Sequence, residues 1–565
     1  MDSYPTWPNL ATMMFDLAGQ WPKKPLFRHF HANAWHGVTW EGFARQVASC
    51  ARHLRVLGVS PGDRVLLCAE NRPDYPIAEV ALMAIRAIPV PTYTTNTVED
   101  HAHILRDSGA RAAIVSAGAL AGRVRLAGEA LGGLDLLLEM GGEPWTAMLA
   151  DREPPTDIAR DAALIPPTAL ACLIYTSGTG GAPRGVMLPH RCILSNCQGA
   201  FDLVGPLRLK DEIYLSFLPL SHSYEHTVGC YFFASIGTEI VYSRGVEHLA
   251  ADMMAIRPTI LTAVPRVLEV IRGRVLHQVA RQPSWKRALF ERALAIGYRR
   301  QDEIPLSPLD RLLDPVLERL VRVKIRARFG GRLVAAVCGG ARLEPEIGRF
   351  FMALGLKLMQ GYGQTEAGPV ISATRPDAIR VETVGPPLLG VDLRIAGDGE
   401  ILVRGGLVMD GYWGRPEDTA AVIRDGWLHT GDIGVLDKRG NLRITDRKKD
   451  MIVLSGGENV SPARIEGVLM AEPEIAQAVV VGDGRSGLSG LLVPAEGHDA
   501  AAVGHALRRA NQRLSVTERV RRHGIVPAFT VENGLLTPTQ KIRRPLVLRD
   551  HVGTLEKLHG GVTEG

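Results

Sequence analysis

Residues 175–186 read YTSGTGGAPRGV and concentrate hydroxyl side chains, glycines and one cation in a single segment. The apolar run 169–174 before it predicts a buried strand. After it, apolar residues recur at three- and four-residue spacing, namely Ile193, Cys197, Ala200, Phe201 and Val204. This spacing predicts an amphipathic helix. A loop between a strand and a helix can present hydroxyls and backbone N–H groups to an anion, so the segment predicts a phosphate-binding loop.

The segment offers phosphate two kinds of partner. Thr176, Ser177 and Thr179 supply hydroxyls beside several glycine N–H groups, and Arg184 supplies positive charge. It is not a Walker loop, because no Gly-Lys-Ser/Thr sequence closes it and Pro183 stands where that pattern requires glycine. The alternative is a flexible surface turn, and the segment alone leaves both interpretations open.

A second glycine-rich region lies downstream and has the pattern of a βαβ unit. Residues 333–337 predict a strand that ends at the turn 339–341. The helix that follows has Pro345 near its first turn. Its apolar face is formed by Ile347, Phe350, Phe351 and Leu354. Residues 356–359 then lead into GYGQTE at 361–366, so both glycine turns are expected at the carboxyl ends of parallel strands, where open α/β sheets bind ligands.

The residue types of the second turn suit a nucleotide. The flanking glycines leave Tyr362 room to lie flat on a planar base. Thr365 can donate to a phosphate, and Glu366 offers an oxygen ligand for Mg²⁺. The alternatives are a tight turn without a binding role and a solvated glutamate.

Five motifs occur together in one order along the chain. They are YTSGTGGAPRGV, GYGQTE, WLHTGD at 427–432, DRKKDMIVLSGGENVSP at 446–462 and LTPTQKIRR at 536–544. With these motifs the chain resembles the adenylate-forming superfamily of acyl-CoA synthetases, luciferases and peptide-synthetase adenylation domains over essentially its whole length. LPLSHSYEH at 218–226, RPTILTAVPRVLE at 257–269 and the long insert after them are most similar to the long-chain fatty acid–CoA ligase branch.

The resemblance implies a multi-domain α/β fold, in which a large N-terminal α/β body of stacked sheets carries a small mobile α+β C-terminal domain. We place the body at 1–446 and the C-terminal domain at 447–565. The hinge is expected at 446–449, with Lys449 at the pivot position, and the small domain is expected to rotate between two half-reactions. A length of 565 residues also exceeds one compact core.

The charged segment 446–450 has a second interpretation. It lies between two apolar runs that predict strands at 442–445 and 451–454. Without the resemblance, the segment could equally be a solvated hairpin turn.

The resemblance implies nucleotide contacts in three of the motifs. The residues expected to bind ATP or AMP are Thr176, Ser177, Gly178, Thr179, Arg184, Gly340, Ala341, Tyr362 and Asp432. The segment 176–179 would close over the β- and γ-phosphates. Gly340, Ala341 and Tyr362 would line the adenine and ribose pocket. Asp432 would accept hydrogen bonds from both ribose hydroxyls.

Catalysis is expected from four residues under the same resemblance. Thr365 would touch the α-phosphate, Glu366 would hold Mg²⁺ and Arg447 would lie near the ribose and phosphate. Lys541, on the mobile domain, would bridge the substrate carboxylate and the α-phosphate during adenylation. The alternative for Lys541 is an exposed lysine in a polar tail.

The acyl substrate is indicated by the segment 218–226. The resemblance places His222 and Tyr224 at the mouth of the acyl pocket, and His226 near the position of an aromatic gate in some long-chain members. Peptide-synthetase domains anchor an amino group with aspartate in this region, whereas this chain has only Glu225 there. An apolar carboxylate is therefore expected rather than an amino acid. The sequence does not indicate the acyl chain length.

Two positions depart from the family pattern of the phosphate loop. Gly180 replaces a threonine and removes one hydroxyl donor, and Arg184 replaces a lysine. Arginine keeps the positive charge but presents it on a planar, forked guanidinium rather than on a compact ammonium. Weaker binding of ATP is expected, with the rest of the adenylation residues intact.

The expected activity is that of an ATP-dependent long-chain fatty acid–CoA ligase working through an acyl-adenylate, with Mg²⁺ as cofactor and ATP and CoA as co-substrates. One alternative is an acyl-adenylate ligase that loads a carrier protein. Another is a catalytically silent homologue that binds a nucleotide or lipid. Nucleic-acid binding is not expected, because the basic residues lack aromatic interleaving or a known motif.

Composition fits a cytoplasmic protein. Hydrophobic residues make up 46% and charged residues 22%, as in globular proteins. Seven cysteines, an odd number without paired metal spacing, indicate reduced thiols, and Cys192 and Cys197 are expected in the core. The N-terminal sequence lacks a basic start followed by a long apolar run, so no signal peptide is predicted. No apolar run in the sequence approaches the length needed to span a membrane.

The insert 266–328 is strongly basic. It holds 15 Lys or Arg against 7 Asp or Glu, a local net charge of +8, whereas the whole chain carries +5. Its apolar residues at helical spacing are Trp285, Leu289, Phe290, Leu294 and Tyr298. One interpretation is peripheral contact with the inner membrane surface, where fatty acids are collected. The other is a helical hairpin packed on the body with a solvated basic face.

Overall fold

The computed structural model describes residues 4–150, 153–176, 182–448, 451–456, 458–536 and 542–560. Over these ranges the chain forms several sheets flanked by helices, which confirms the predicted α/β fold. Four sheets are built from strands before residue 448, and two smaller sheets from strands after residue 451.

The largest sheet has eight strands. In spatial order they are Val370–Ala373, Leu358–Gly363, Ala335–Cys338, Ile260–Ala263, Ile213–Ser216, Glu239–Tyr242, Pro25–His31 and Ala34–Thr39. The six inner strands run parallel, and one antiparallel strand closes each edge. The predicted βαβ unit is confirmed within this sheet, because Ala335–Cys338 and Leu358–Gly363 are parallel neighbours joined through helix Pro345–Ala353. The first predicted glycine turn follows its strand, whereas Gly361 to Gly363 of the second lie within strand Leu358–Gly363 and the turn begins only at Gln364. Both glycine segments lie at the carboxyl ends of these parallel strands.

A second sheet has four parallel strands, Ile88–Pro91, Arg64–Cys68, Ala112–Ser116 and Leu136–Met140. Helices Asp74–Ala84, Val98–Ser108 and Ala119–Glu129 alternate with them. Its strands are nearly continuous apolar runs and are mostly buried, as expected for parallel strands that helices cover on both faces.

A three-stranded antiparallel sheet carries the first glycine-rich segment. Strand Leu170–Thr176 pairs with Arg184–Pro189, which in turn pairs with Gly411–Tyr412. The expected direct passage from strand through loop to helix is therefore wrong, since an unpredicted strand intervenes. Its apolar core, Val186 to Leu188, lies between the predicted loop, which ends at 186, and the predicted helical face, which begins at Ile193. The predicted helix is confirmed at His190–Val204.

The remaining sheet of the N-terminal part joins four strands in the order Val391–Ile395, Glu400–Gly405, Trp427–Leu436 and Ile423–Arg424, and a fifth strand, Leu442–Arg447, also pairs with Trp427–Leu436. Other helices before residue 448 are Leu10–Gln20, Trp40–Val56, Glu143–Leu149, Thr156–Ala163, Leu249–Ile256, Pro416–Val422 and the π-helix Glu225–Phe232.

The part of the chain after residue 451 forms its own small α+β unit. A strand pair, Ile452–Val453 and Asn459–Val460, precedes a sheet of Ile475–Val481, Leu488–Pro494 and Val520–Ile525. Its helices are Pro462–Met470, Ala500–Gln512, Arg544–Asp550 and Val552–Gly560. Two hydrophobic clusters, one from residues 452–520 and one from residues 476–555, belong to this part alone. The boundary at 446 stays a prediction.

The segment after 446 is not a simple hairpin turn. Strand Leu442–Arg447 pairs with Trp427–Leu436, whereas Ile452–Val453 pairs with Asn459–Val460, so the two flanking strands belong to different sheets. Lys448 donates to Asp398 Oδ2 at 2.6 Å and to Glu400 Oε2 at 2.9 Å. The hairpin interpretation is therefore wrong. Lys449 lies outside the described residues.

The insert is helical, with Pro265–Ala280, Ser284–Gln301, Pro308–Leu317, the π-turn Glu318–Arg322 and Val323–Ala327. Most of the predicted apolar face of Ser284–Gln301 packs on the body rather than facing solvent. Phe290 is buried, and its ring centroid lies 6.3 Å from that of Phe350. Trp285 is the exception and is 60% exposed. For this helix the packed interpretation is correct.

The cysteine prediction is confirmed, because all seven cysteines are free and buried, including Cys192 and Cys197. Among the residues that the structure describes, no helix has the length and apolar character needed to cross a bilayer.

Glu225 is fully buried in the core of the N-terminal part. Burial raises its pKa from 4.5 to about 7, although Ser216 and Tyr214 donate hydrogen bonds to its carboxylate at 2.6 and 2.7 Å. The unfolded chain releases this proton near pH 4.5, so the folded state binds more protons between pH 4.5 and 7. Stability should fall as the pH rises through that window.

Glu225→Gln is therefore expected to flatten this dependence. Since one pKa unit corresponds to 1.36 kcal/mol, the neutral amide removes a cost of up to about 3 kcal/mol at pH 8. Urea unfolding at pH 5 and pH 8 measures the effect, with the exposed Glu247→Gln as the control. Parallel pH dependences for wild type and Glu225→Gln would contradict the assignment.

Candidate active site

One cavity of about 1890 Å³ collects the predicted site residues. Eleven of them line it: Thr176, Arg184, His222, Tyr224, Gly340, Ala341, Tyr362, Thr365, Glu366, Asp432 and Arg447. The others, namely Ser177, Gly178, Thr179, Lys449 and Lys541, lie outside the described residues, as does Gly180. Residues separated by more than 250 positions along the chain thus meet at a single site.

Asp432 anchors one end of the cavity. It is buried, and its two carboxylate oxygens accept different donors: Oδ2 from the Tyr362 hydroxyl at 2.7 Å and Oδ1 from Arg447 Nε at 3.1 Å. Asp432 and Arg447 are direct partners across antiparallel strands, which fixes their approach. Burial and the negative charge of Asp432 hold the pKa of Tyr362 well above its usual value, so this phenol stays a donor.

Glu366 lines the same polar part of the cavity and lies in the turn Thr365–Ala367. Its Oε1 accepts a hydrogen bond of 2.8 Å from the Tyr412 hydroxyl. The guanidinium of Arg184 stacks on the Tyr412 ring, with its carbon 4.1 Å from the ring centroid. Arg184 also lies 3.5 Å from Asp418. The cation of the glycine-rich segment is thus linked to Glu366 through one tyrosine.

Thr365 shares a hydrogen bond of 2.9 Å with Ser223. Ser223 is buried and belongs to the segment that carries His222 and Tyr224. The contact ties the turn after Leu358–Gly363 to the segment predicted to form the acyl mouth, so both predicted subsites share a wall.

The first glycine turn supports the middle of the cavity. Gly340 has φ +82°, a left-handed conformation that glycine adopts without strain. A Cβ on Gly339 would come within 3.3 Å of the Tyr224 ring, and the Tyr224 hydroxyl donates to Val337 O at 3.1 Å. Tyr224 therefore packs against this turn. His222 accepts the backbone N–H of Tyr224 through Nδ1 at 3.2 Å.

One arm of the cavity is apolar. Its residues come from helix His190–Val204 and the turn after it, from the π-helix, from the large sheet and from the loop before Val391–Ile395: Ala200, Leu203, Val204, Leu207, Leu209, Val228, Phe232, Ile260, Ala335, Val337, Met359 and Leu388. One wall is helical and the other is sheet, so the arm lies between two layers. It is continuous with the polar end that holds Asp432 and Glu366.

The small C-terminal unit also reaches the cavity. Ala463, Glu466, Ile542, Arg543 and Arg544 line it. Ile542 pairs with Leu536 in an antiparallel bridge, and Arg544 donates to Val480 O at 2.7 Å. The described residues next to Lys541 therefore face the same cavity as Asp432 and Glu366.

Family models match nearly the whole chain. Residues 15–413 match the model described as AMP-binding enzyme, and residues 449–560 match the AMP-binding enzyme C-terminal domain. The chain belongs to the AMP-binding enzyme family. The resemblance inferred from the motifs is thereby confirmed.

Individual relatives of this AMP-binding enzyme agree with the family match. Long-chain-fatty-acid–CoA ligase FadD15 of Mycobacterium bovis is 33% identical, over 98% of this chain and 97% of the relative. Long-chain-fatty-acid–[acyl-carrier-protein] ligase AEE15 of Arabidopsis thaliana is 26% identical, over 92% and 82%. O-succinylbenzoate coenzyme A synthetase of Bacillus subtilis in complex with AMP has a TM-score of 0.71 at 20% identity, over 94% and 97% of the two chains, which shows the shared fold.

Among the cavity residues of this AMP-binding enzyme that were not predicted, two hydrogen-bond a predicted residue, Tyr412 to Glu366 and Ser223 to Thr365. Tyr412 follows a glycine in a two-residue strand, and Ser223 lies between two residues that were predicted. The sequence GYW at 411–413, an aromatic pair after a glycine, could have drawn attention to Tyr412. It does not indicate that Tyr412 would hydrogen-bond Glu366. His226, which the resemblance places near a gate position, is fully buried and hydrogen-bonds Glu79 at 2.8 Å.

Proposed function

We propose that this AMP-binding enzyme activates a fatty acid with ATP through an acyl-adenylate and transfers the acyl group to CoA. The observation that carries the proposal is the single cavity, in which a polar end with Asp432 and Glu366 continues into an apolar arm. A nucleotide and an aliphatic carboxylate can share such a space with their reacting groups in contact. The name of the FadD15 relative supports the same reaction.

The chemistry explains why both ends are needed. A carboxylate is a poor acyl donor, because its leaving group would be oxide. Attack of a carboxylate oxygen on the α-phosphorus of ATP expels pyrophosphate and forms an acyl-adenylate. A thiolate then attacks the acyl carbon and releases AMP. The first step joins two anions, so positioning and charge neutralisation must supply most of the rate enhancement.

The nucleotide is proposed to occupy the polar end. Asp432 would accept the ribose hydroxyls, and Tyr362 with the turn at 339–341 would enclose the base. Thr176, Arg184 and the segment 177–179 would hold the β- and γ-phosphates. Thr365 and Arg447 would contact the α-phosphate region. Support comes from the placement of Thr176, Tyr362, Asp432 and Arg447 around one cavity.

Mg²⁺ is proposed to bind with the nucleotide at Glu366. Among the described residues, no group of three or more His, Cys, Asp or Glu side chains is arranged to hold a metal. That fits an ion held by one carboxylate together with substrate phosphates, which is the usual arrangement for Mg²⁺. When bound, the ion would neutralise phosphate charge. Tyr412 donates a hydrogen bond to Oε1 of Glu366 and so orients the carboxylate that would hold the ion.

Tyr412→Phe is expected to weaken binding of Mg·ATP by about 10-fold, because an oriented carboxylate loses its hydrogen-bonding partner. The ring on which Arg184 stacks is kept. Calorimetric titration with Mg·ATP, and separately with ATP in EDTA, measures the change. Binding in EDTA should be unaffected.

The matched control is Tyr298→Phe in the insert, where Arg349 lies 5.5 Å from the tyrosine ring. This variant also removes a tyrosine hydroxyl and keeps a ring that an arginine contacts, but the ring lies outside the cavity. Both titrations should therefore be unchanged. Equal losses with and without Mg²⁺ in Tyr412→Phe would show that Tyr412 acts on the loop rather than on Glu366.

The apolar arm supports an aliphatic acyl group. Its lining is aliphatic and aromatic, and Tyr224 and His222, which line the same cavity, are proposed to form its mouth. Glu225, the one acidic residue of 218–226, is fully buried under hydroxyl donors and is not placed to bind a substrate amine. An unsubstituted fatty acid fits these features better than an amino acid.

The C-terminal unit is proposed to move about a hinge at 446–449, with Lys449 at the pivot and residues 447–565 as the mobile domain. Lys541 would neutralise charge between the carboxylate and the α-phosphate. Support comes from Ile542 and Arg543, which line the cavity immediately after Lys541. Rotation would exchange this face for another during thioester formation.

The acceptor has a second candidate. A carrier protein presents its thiol on a phosphopantetheine arm, which is also part of CoA. The name of the AEE15 relative favours this acceptor for that protein. An assay with CoA and without a carrier protein distinguishes the two acceptors, since acyl-CoA should form only if CoA itself accepts the acyl group. A catalytically silent role is disfavoured by the intact Glu366, Asp432 and Arg447.

A cytoplasmic location with peripheral contact at the inner membrane surface completes the proposal. ATP and CoA are cytosolic substrates, and seven free buried thiols fit a reducing compartment. Fatty acids partition into bilayers, so contact with a membrane would bring the enzyme to its substrate.

The proposed first half-reaction is tested by exchange of labelled pyrophosphate into ATP without CoA. A fatty acid should support exchange, since adenylate formation is reversible, whereas an amino acid should not. Exchange with amino acids alone would overturn the assignment of the apolar arm.

A further inference from the structure

We propose that the C-terminal half of the insert is a docking surface for an anionic lipid bilayer. The surface lies on helix Pro308–Leu317, the π-turn Glu318–Arg322 and helix Val323–Ala327. Its exposed apolar residues are Leu309, Leu312, Val316, Leu320 and Val323. We call these five residues the apolar row. The inference rests on the proposed function only in that a fatty acid is a membrane-derived substrate.

The apolar row is a continuous stripe. Its members follow one another at intervals of three or four residues, which places them on one face of a helix. Leu312 is 74% exposed and Leu309 is 59% exposed. The opposite face is packed on the body through Leu317, Val321 and Ile325, all of which are buried. The row is therefore the outward face of a helix that is fixed from behind.

The charges around the row have one sign at the surface. Arg311, Arg319, Lys324 and Arg328 are exposed, and within the described residues these four make no ion pair. The three carboxylates of the same segment are engaged by arginines: Asp310 by Arg299 at 3.0 Å, Asp314 by Arg322 at 2.8 Å and Glu318 by Arg326. Asp310 and Asp314 are also buried. Apart from Glu318, whose ion-paired side chain is 41% exposed, the segment presents apolar side chains and cations to solvent.

This combination fits an anionic bilayer better than a second copy of the chain. A helix in the membrane interface buries an apolar face, while flanking cations meet lipid phosphates. Symmetric pairing of two copies would bring the same cations together and is opposed by their repulsion. The apolar row differs from the face predicted on Ser284–Gln301, which is largely packed inward.

Flotation of the full-length protein with vesicles tests the proposal. The vesicles are phosphatidylcholine alone or phosphatidylcholine with phosphatidylglycerol, at low and high salt, without ATP or fatty acid. The protein should float with anionic vesicles at low salt and be released by salt. Arg319→Gln with Lys324→Gln should lower the partition coefficient by about 20- to 30-fold, or roughly fivefold per cation. Leu312→Ser should weaken binding at both salt concentrations.

Two matched controls carry the same chemistry elsewhere. Lys438→Gln with Arg439→Gln removes two exposed cations from a turn of another sheet, and Leu164→Ser replaces a leucine that is 71% exposed. Neither should change flotation.

Absence of flotation with anionic vesicles at low salt would overturn the proposal. The proposal would also be overturned if the control variants lost as much vesicle binding as Leu312→Ser and Arg319→Gln with Lys324→Gln. A dimer in sedimentation equilibrium that Leu312→Ser dissociates would instead assign the row to a second copy. Pyrophosphate exchange with a water-soluble short-chain acid should be the same in all variants, so failure of docking stays distinct from failure of the proposed activity.

Discussion

Asp432→Asn is expected to lower kcat/KM for ATP by about 10²- to 10⁴-fold. The carboxylate would otherwise accept two ribose hydrogen bonds, and hydrogen bonds to a charged group contribute about 1.5–3 kcal/mol each. The amide offers one oxygen in place of two, and its NH₂ would face a donor, either the Tyr362 hydroxyl or Arg447 Nε. Steady-state kinetics with varied ATP measure the effect, and KM for the fatty acid should change little.

Asp392→Asn is the matched control for this variant. Asp392 lies in the same sheet and is also paired with an arginine, Arg404, at 2.9 Å, but it is exposed. Exposed pairs contribute about 0–1 kcal/mol, so its kinetics should match the wild type. An unchanged kcat/KM for ATP in Asp432→Asn, with an intact fold by circular dichroism, would remove Asp432 from the ribose site.

Lys541→Ala is expected to reduce acyl-adenylate formation by at least about 10²-fold, the usual cost of removing one group that stabilises transition-state charge. Thioester formation from supplied acyl-adenylate should remain within a few fold of wild type. Lys449→Pro should have the opposite pattern, since a rigid hinge blocks rotation but not adenylation. Quenched-flow assays of the two half-reactions measure both.

Lys557→Ala serves as the control, because Lys557 is an exposed lysine of the same C-terminal part, in helix Val552–Gly560. Both half-reactions should be unaffected by it. Equal loss of the two half-reactions in Lys541→Ala and in Lys449→Pro would contradict a division of labour between two conformations.

The residues that sequence could locate share a local signature. Gly340, Tyr362 and Asp432 belong to glycine-containing motifs at the ends or bends of strands, where backbone geometry restricts the residue type. The family resemblance that these motifs carry implied that they share one site. The confirmed βαβ unit then explains why two of the glycine segments lie at the carboxyl ends of neighbouring strands in the large sheet.

The contacts that sequence could not locate depend on packing between distant segments. Tyr412 reaches Glu366 across 46 positions, and Ser223 reaches Thr365 across 142. Strand Arg184–Pro189 was hidden because its apolar run is short and adjoins a glycine-rich segment. Neither a periodicity nor a motif encodes which segments become neighbours.

The insert shows the same limit in another form. Apolar spacing predicts that a helix has an apolar face, but it does not indicate whether that face is covered. Phe290 is buried against the body, whereas Leu312, in the next helix, Pro308–Leu317, is exposed. The distinction arises only from tertiary packing.

The central claim is that the cavity joins ATP and a fatty acid and delivers the acyl group to CoA. Mass spectrometry of the products, with Mg·ATP, a mixture of fatty acids of graded length, and CoA added or omitted, tests it most directly. We expect acyl-CoA and AMP in equal amounts when CoA is present, with the most depleted acid giving the preferred chain length. Acyl-adenylate that persists when CoA is present, or no AMP from any fatty acid, would contradict the account.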